Sequence, residues 1–167
     1  MVAGDTVYVL DSDVFIGAAR GYYAFDISPR FWNCLTQLAK DGRIVSIDRV
    51  KQELDRGNDD LRKWANTRFS QAFKSCDDDS VIAAFSETMK WVGSHKKFEA
   101  AAKSVYASKA DGWLVAYAKA KGFIVVTQEI FSPEARNRIP IPNICEAFGV
   151  RYVNTFQMLR DLGVKFI

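Results

Sequence analysis

Histidine is nearly missing from this chain: one residue, His95, stands among 167. That scarcity removes the usual base of serine-hydrolase and histidine-relay chemistry and the ligands of His-rich zinc sites. Cysteine is sparse too. Cys34, Cys76 and Cys145 are odd in number, far apart and without a Cys-x-x-Cys spacing, which argues against a disulfide framework or a structural zinc site. A reducing cytoplasm fits that usage. No apolar run approaches the ~20 residues of a membrane-spanning helix, and Asp5 and Asp11 interrupt the first hydrophobic stretch. The N-terminus shows no basic region ahead of an apolar core, so a soluble intracellular protein is expected. Internal repeats, low-complexity tracts and linkers are absent as well. Charge of one sign does not dominate: a net +3 with pI near 8.7 tolerates an RNA or DNA partner without demanding one.

What is present is apolar substance, 49% hydrophobic and 13% aromatic, enough for one sizeable core in a single domain spanning residues 1–167. Strand-type runs at 6–10, 44–47, 123–127 and 150–153, with a short edge strand at 69–74, alternate with helical segments. The helices are expected at 14–19, 31–40, after Asp48 as cap to near Gly57, at 58–67, 81–91, 99–106, at 109–121 behind a Ser108 cap, and from Asn154 or Thr155 to Gly163. A proline-rich loop is expected over 132–142. Such alternation predicts an α/β fold: three α/β/α layers around a mostly parallel sheet of four to five strands.

Carboxylates recur where such a sheet would place a ligand. Val7-Tyr8-Val9-Leu10 leads directly into Asp11-Ser12-Asp13, so Asp11 falls at the C-terminal end of a buried strand. Glu53 lies on the helix after the second strand, Asp111 in the first turn of its helix, and Glu129 two residues past the Phe123–Thr127 strand. In a right-handed parallel sheet all four converge on one rim. Like charges crowded there raise one another's pKa, and a divalent cation resolves the repulsion. Oxygen ligands favour Mg²⁺ or Mn²⁺. A pair of such ions ~3.5–4 Å apart can polarise a phosphate and activate water without a side-chain nucleophile. Phosphodiester hydrolysis is the chemistry this suggests.

The same residues carry a family resemblance. Val9-Leu10-Asp11-Ser12-Asp13-Val14-Phe15-Ile16 resembles the opening motif of PIN-domain ribonucleases, an apolar strand followed by Asp-Thr-Asn and an apolar run. Val50-Lys51-Gln52-Glu53-Leu54 fits the family's intervening acidic helix, and 110–118 with 122–129 resembles its second half, where an acid opens a helix and a strand ends in Thr-x-Asp. Within that group the chain is most similar to the PIN-like DUF4411 subgroup, through Tyr22-Tyr23-Ala24-Phe25-Asp26, Phe31-Trp32 and 141–150. The resemblance implies a Mg²⁺-dependent endoribonuclease, the toxin of a bacterial type II toxin–antitoxin pair, with an RNA substrate, an antitoxin partner and room for a homodimer. It implies Asp11, Glu53, Asp111 and Glu129 as catalytic metal ligands, with Ser12, Asp13 and Thr127 in support. Three positions depart from the pattern: Ser12 for Thr, Asp13 for Asn and Glu129 for Asp.

Other readings compete residue by residue. Asp11 or Asp13 can simply cap a helix, Glu53 can pair with Lys51 or Arg56, and Asp111 can serve as an N-terminal helix charge. Asp77-Asp78-Asp79 reads as a solvated helix start, His95 as exposed and Cys145 as packing. Arg20, Arg30, Lys51, Arg56, Arg136 and Arg138 can hold phosphates, with Tyr22, Tyr23 or Trp32 stacking on bases, or can be ordinary surface and core residues. At the level of function, a catalytically inert PIN-like nucleic-acid-binding module is one alternative. A haloacid-dehalogenase-type phosphatase is another, although after Thr127 the only lysine is Lys165 and no adjacent acid pair follows. A phosphorylation-receiver module lacks both its central aspartate and its late lysine.

Overall fold

Tyr8, Val9 and Leu10 are wholly buried, and this short apolar run forms the central strand of the sheet. The computed structural model describes residues 5–57 and 59–167. In chain order the elements are β1 (Tyr8–Leu10), α1 (Ser12–Arg20), α2 (Pro29–Lys40), β2 (Ile44–Ile47), α3 (Asp48–Leu54) and α4 (Asp60–Thr67). A 3₁₀ turn (Ser70–Ala72), β3 (Phe73–Lys74), α5 (Asp79–Ser94), α6 (Ala100–Ser108) and α7 (Asp111–Lys121) follow. The chain finishes with β4 (Ile124–Val126), α8 (Ile141–Phe148), β5 (Tyr152–Val153) and α9 (Thr155–Asp161).

Among the described residues five strands stand in the order β3-β2-β1-β4-β5, every neighbouring pair parallel. Tyr8 lies opposite both Ile44 and Ile124, and Val125 opposite Tyr152. The order reverses at β1, so a crevice opens beyond the C-terminal ends of β1 and β4, where parallel sheets of this kind take their ligands. Residues 11 and 127–129 sit at that crevice. The fold class is as expected: an α/β/α arrangement with helices on both faces of a parallel sheet.

Helix α7 buries Gly112, Leu114, Val115, Ala116, Tyr117 and Ala118, nearly its full circumference, because the sheet covers one side and α5, α6 and α8 the others. Gly122 closes it at φ +73°, a left-handed geometry that glycine adopts without a Cβ penalty. On the opposite layer α1, α3 and α4 meet around aromatic rings. Trp32 stacks on Phe25 at 4.0 Å and meets Trp64 edge-on at 4.8 Å, and Trp64 stacks on Phe69 at 4.9 Å. Such pairs add ~0.5–1.5 kcal/mol each beyond their buried area. Trp32 is thus core and cannot stack on a base.

Several local expectations are corrected. The proline-rich 132–142 segment gives way at Ile141 to a helix, α8, because Pro142 occupies the first turn, where its missing N–H costs nothing. Ser108 does not cap α7; it closes α6 and donates to the Val105 carbonyl at 2.9 Å. Asp48 does not cap α3 but lies in its first turn, where its carboxylate accepts from the Cys76 N–H at 3.2 Å and so ties β2 to the end of β3. The edge strand shrinks to two residues. Helix α4 begins at Asp60 with the Asp59 carboxylate as its cap; Asn58, expected in it, lies outside the described residues. His95 is half-buried between the rings of Trp91 and Phe98 rather than exposed. Cys145 is buried packing. No helix of the described residues is long and apolar enough to cross a membrane.

Candidate metal centre

Helix α1 begins immediately after β1, so Asp11 is at once the strand's exit and the helix's N-cap. Its extended backbone (φ −74°, ψ 158°) lets the carboxylate accept from Ser12 N at 2.7 Å. The other carboxylate oxygen meets Thr127 Oγ1 at 3.1 Å, where β4 ends. Asp13, one residue into α1, reaches the same hydroxyl at 3.3 Å and accepts from Gln128 N at 3.1 Å. Thr127 Oγ1 also accepts from Glu129 N at 3.1 Å. A hydroxyl has a single proton to donate, so it cannot satisfy both carboxylates while both are ionised. The geometry suits a pair that shares a proton or a cation.

Carboxylate oxygens of Asp11, Asp13 and Glu129 lie within 4.8 Å of one another. Glu129 additionally accepts from Ile141 N at 3.4 Å, on the first turn of α8, which fixes its longer side chain. Asp111 and Glu53 are not in that tight triad but line the same cleft, of about 850 Å³. Glu53 accepts from Ala110 N at 3.3 Å, so a carboxylate on α3 caps α7 from across the cleft. Asp111 follows in the first turn of α7. Gly112 behind it permits close packing: a Cβ there would stand 3.0 Å from Phe85 and 3.1 Å from Tyr106.

Electrostatics follow from this crowding. Asp11, 3% exposed, is pushed well above the usual carboxylate range, first by burial and then by Asp13, Asp111 and Glu129. Burial raises Asp13 as well, against the hydrogen bonds that lower it. Asp111 rises to about 6 through burial, with Lys109 opposing and Glu53 and Asp13 adding. Glu129 rises to about 7 through burial, Asp111 and Asp13. The crowded cup therefore keeps protons at a pH where isolated carboxyls have lost them. A divalent cation fits this donor set. The donors are carboxylate oxygens from β1, α1, α7 and the β4 exit, with α3 adjacent, and no histidine or cysteine lines the cleft.

All four sequence-predicted acids therefore reach one cleft, and Ser12 and Asp13 with them. Asp13, expected only in support, belongs to the tightest group, as does Glu129. Of the candidate cations, Arg56 and Arg138 line the cleft, whereas Lys51 is paired with Asp55 at 2.7 Å and Arg30 donates to the Ile167 carbonyl. Lys109 and Asn137 line it as well and were missed. The signal for Lys109 was its place two residues before Asp111, obscured by reading it as the start of the helix. Arg56, Lys109 and Arg138 are exposed and take part in no ion pair among the described residues.

The sequence pattern of the family described as "Domain of unknown function (DUF4411)" matches residues 8–166. Among solved structures, FitAcB from Neisseria gonorrhoeae is similar with a TM-score of 0.54 at 15% identity, over 90% of this chain and 99% of that one. VapBC2 from Rickettsia felis, solved bound to a DNA fragment from their promoter, is similar with a TM-score of 0.55 at 14% identity, over 89% of this chain and 98% of that one. At such identities the likeness is one of fold. Comparison with curated protein sequences returns no match.

Proposed function

Because the chain belongs to the DUF4411 family, we propose that it is a metal-dependent endoribonuclease that hydrolyses RNA phosphodiester bonds, the toxin of a bacterial type II toxin–antitoxin pair. The observation that carries this reading is the gathering of Asp11, Asp13 and Glu129 within 4.8 Å at the switch point of a parallel sheet. The resemblance of the motifs to PIN-domain toxins supports the toxin role, a cytoplasmic setting and an antitoxin partner, and the fold shared with the FitAcB and VapBC2 chains agrees with that resemblance.

Asp11, Asp13 and Glu129 would hold Mg²⁺ or Mn²⁺, with Asp111 and Glu53 completing the anionic wall. Such a cation, when bound, supplies Lewis-acid polarisation of a phosphate oxygen and acidifies its water. The chain's own residues do the rest. Thr127 Oγ1 holds Asp11 and Asp13 in register and receives the Glu129 N–H, which keeps the three carboxylates at one point. Glu53 orients the start of α7 and thereby Asp111. Arg56, Lys109 and Arg138 ring the acids and hold the phosphates that flank the reacting one. The acids in turn repel a strand until a cation neutralises them.

The test is cleavage of a total cellular RNA pool by the purified chain and by Asp11→Asn, with and without Mn²⁺, alongside single-stranded DNA. Mn²⁺-dependent RNA cleavage by the wild type, reduced by orders of magnitude in Asp11→Asn, is expected. Full activity in the variant would refute the assignment of Asp11. A folded wild type that binds RNA but never cuts it would favour an inert binding module.

A further inference from the structure

Beside the acidic cup lies a second recess of about 470 Å³, which shares Ser12 and Asp13 with it as lining residues. Its walls are Ile16 and Ala18 of α1, Tyr22, Tyr23 and Phe156. Asp13 is the only charged residue among those lining it. Tyr22 is 84% exposed, an aromatic that the core does not claim, with its ring 6.5 Å from that of Phe156. Tyr23 is fixed by stacking on Phe31 at 4.3 Å.

One polar group in the recess has a determined orientation. Gln128 Oε1 accepts from Thr155 N at 3.0 Å and from Thr155 Oγ1 at 2.9 Å. A backbone N–H can only donate, so the oxygen end of the amide is fixed and the NH₂ end is left to donate elsewhere. Gln128 is exposed, and its side-chain NH₂ makes no hydrogen bond among the described residues.

We propose that this recess binds the nucleobase next to the scissile phosphate, stacked on Tyr22 with the edge-on Phe156 ring at its side, with the Gln128 amide NH₂ donating to an acceptor on the base. The proposal rests on the reading of the substrate as RNA, taken in a single-stranded stretch whose bases are free to leave the stack. A neutral planar ring suits a slot of apolar walls and one oriented donor, and the volume is in the range of small-ligand pockets, ~300–1,000 Å³. A phosphate does not suit it, since no cation lines the slot; Arg56, Lys109 and Arg138 line the cup instead. The cup would then be flanked by phosphates on one side and an unstacked base on the other.

The test uses the full chain, a random-sequence single-stranded RNA library and Mn²⁺. Wild-type cut sites are expected to be biased at one nucleotide adjoining the cut. Gln128→Glu keeps the acceptor for Thr155 but replaces the donor by an acceptor, and is expected to change the base chosen at that nucleotide alone. Tyr22→Ala removes an exposed ring, so the fold is untouched. It is expected to flatten the bias and raise KM roughly 5- to 150-fold, the effect of losing one stacked base. An abasic site at that nucleotide should cost the wild type as much and the variant nothing further.

Unchanged bias and KM in both variants would overturn the proposal. So would a protein partner that loses its grip on Tyr22→Ala while RNA bias and KM stay at wild type, which would assign the slot to protein. If the wild type cuts no RNA, the nuclease reading fails separately, and anisotropy of a labelled single-stranded RNA decides the slot. Weaker binding by Tyr22→Ala upholds it, and equal binding overturns it.

Discussion

Replacing Asp111 by Asn should make the cation-free protein more stable. A carboxyl held at about 6 in the folded state, against 3.8 in an unfolded chain, destabilises the fold by roughly 3 kcal/mol once both states are ionised. One loss offsets part of that gain: a negative charge in the first turn of α7 is worth ~0.3–1 kcal/mol against the helix dipole, while the pull of Lys109 is already contained in the value of about 6. The net expectation is about 2 kcal/mol, or a rise in Tm of roughly 4–8 °C for a chain of this size. The size of the gain depends on pH. Well below pH 4 Asp111 is protonated in both states and the variant gains nothing. Between about pH 4 and pH 6 the unfolded chain has lost a proton that folded Asp111 keeps, so wild-type stability falls across that window and is level above it. Thermal unfolding in EDTA at pH 4 and pH 7.5 therefore reads the effect directly. Saturating Mn²⁺ should shrink the variant's advantage, because a ligand at 100 times its Kd adds ~2.7 kcal/mol to the protein that binds it and a cup one carboxylate poorer binds it less tightly. An equal or lower Tm for the variant at pH 7.5, or a gain unchanged at pH 4, would refute the repulsion.

Lys109→Ala and Arg138→Ala should each raise KM and lower the salt dependence of RNA binding by roughly 0.7 in the log–log slope, measured by anisotropy titration; unaltered slopes would remove them from the phosphate path. Thr127→Val strips the Glu129 N–H of its acceptor and the Asp11–Asp13 pair of the one hydroxyl proton it shares. It should cost ~1–3 kcal/mol in denaturant unfolding, whereas Thr127→Ser should cost much less. Gly112→Ala gains ~1 kcal/mol of helix propensity but sets a Cβ 3.0 Å from the Phe85 ring, which is stacked on Trp113 at 3.8 Å. Overpacking of ~1–3 kcal/mol should prevail and lower Tm; a higher Tm would show that the rings yield.

The strands β1, β2 and β4 were legible because both faces of a central parallel strand are buried, which leaves unbroken apolar runs. From those runs came the positions of Asp11 and Glu129 at one rim, and the right-handed crossover brought Asp111 to it. What stayed hidden depends on distant partners. Nothing local says that α7 is capped by Glu53, 57 residues earlier, or that Asp48 serves Cys76 rather than its own helix. Helix α8 was obscured by Pro140 and Pro142, residues that mark loops in one context and helix starts in another. Asp13 was ambiguous between cap and ligand. The deciding fact is that Asp11 takes the N-cap itself, which turns Asp13 toward the end of β4. Exposed Tyr22 and buried Trp32 are alike in sequence and opposite in the fold.

The most direct test of the cup is a calorimetric titration of the cation-free protein with Mn²⁺ at pH 7.5, repeated in buffers of different ionisation enthalpy. Saturable binding with release of protons, abolished in Asp11→Asn while its fold persists, is the predicted result. Absence of binding by the folded wild type, or equal binding by Asp11→Asn, would contradict it.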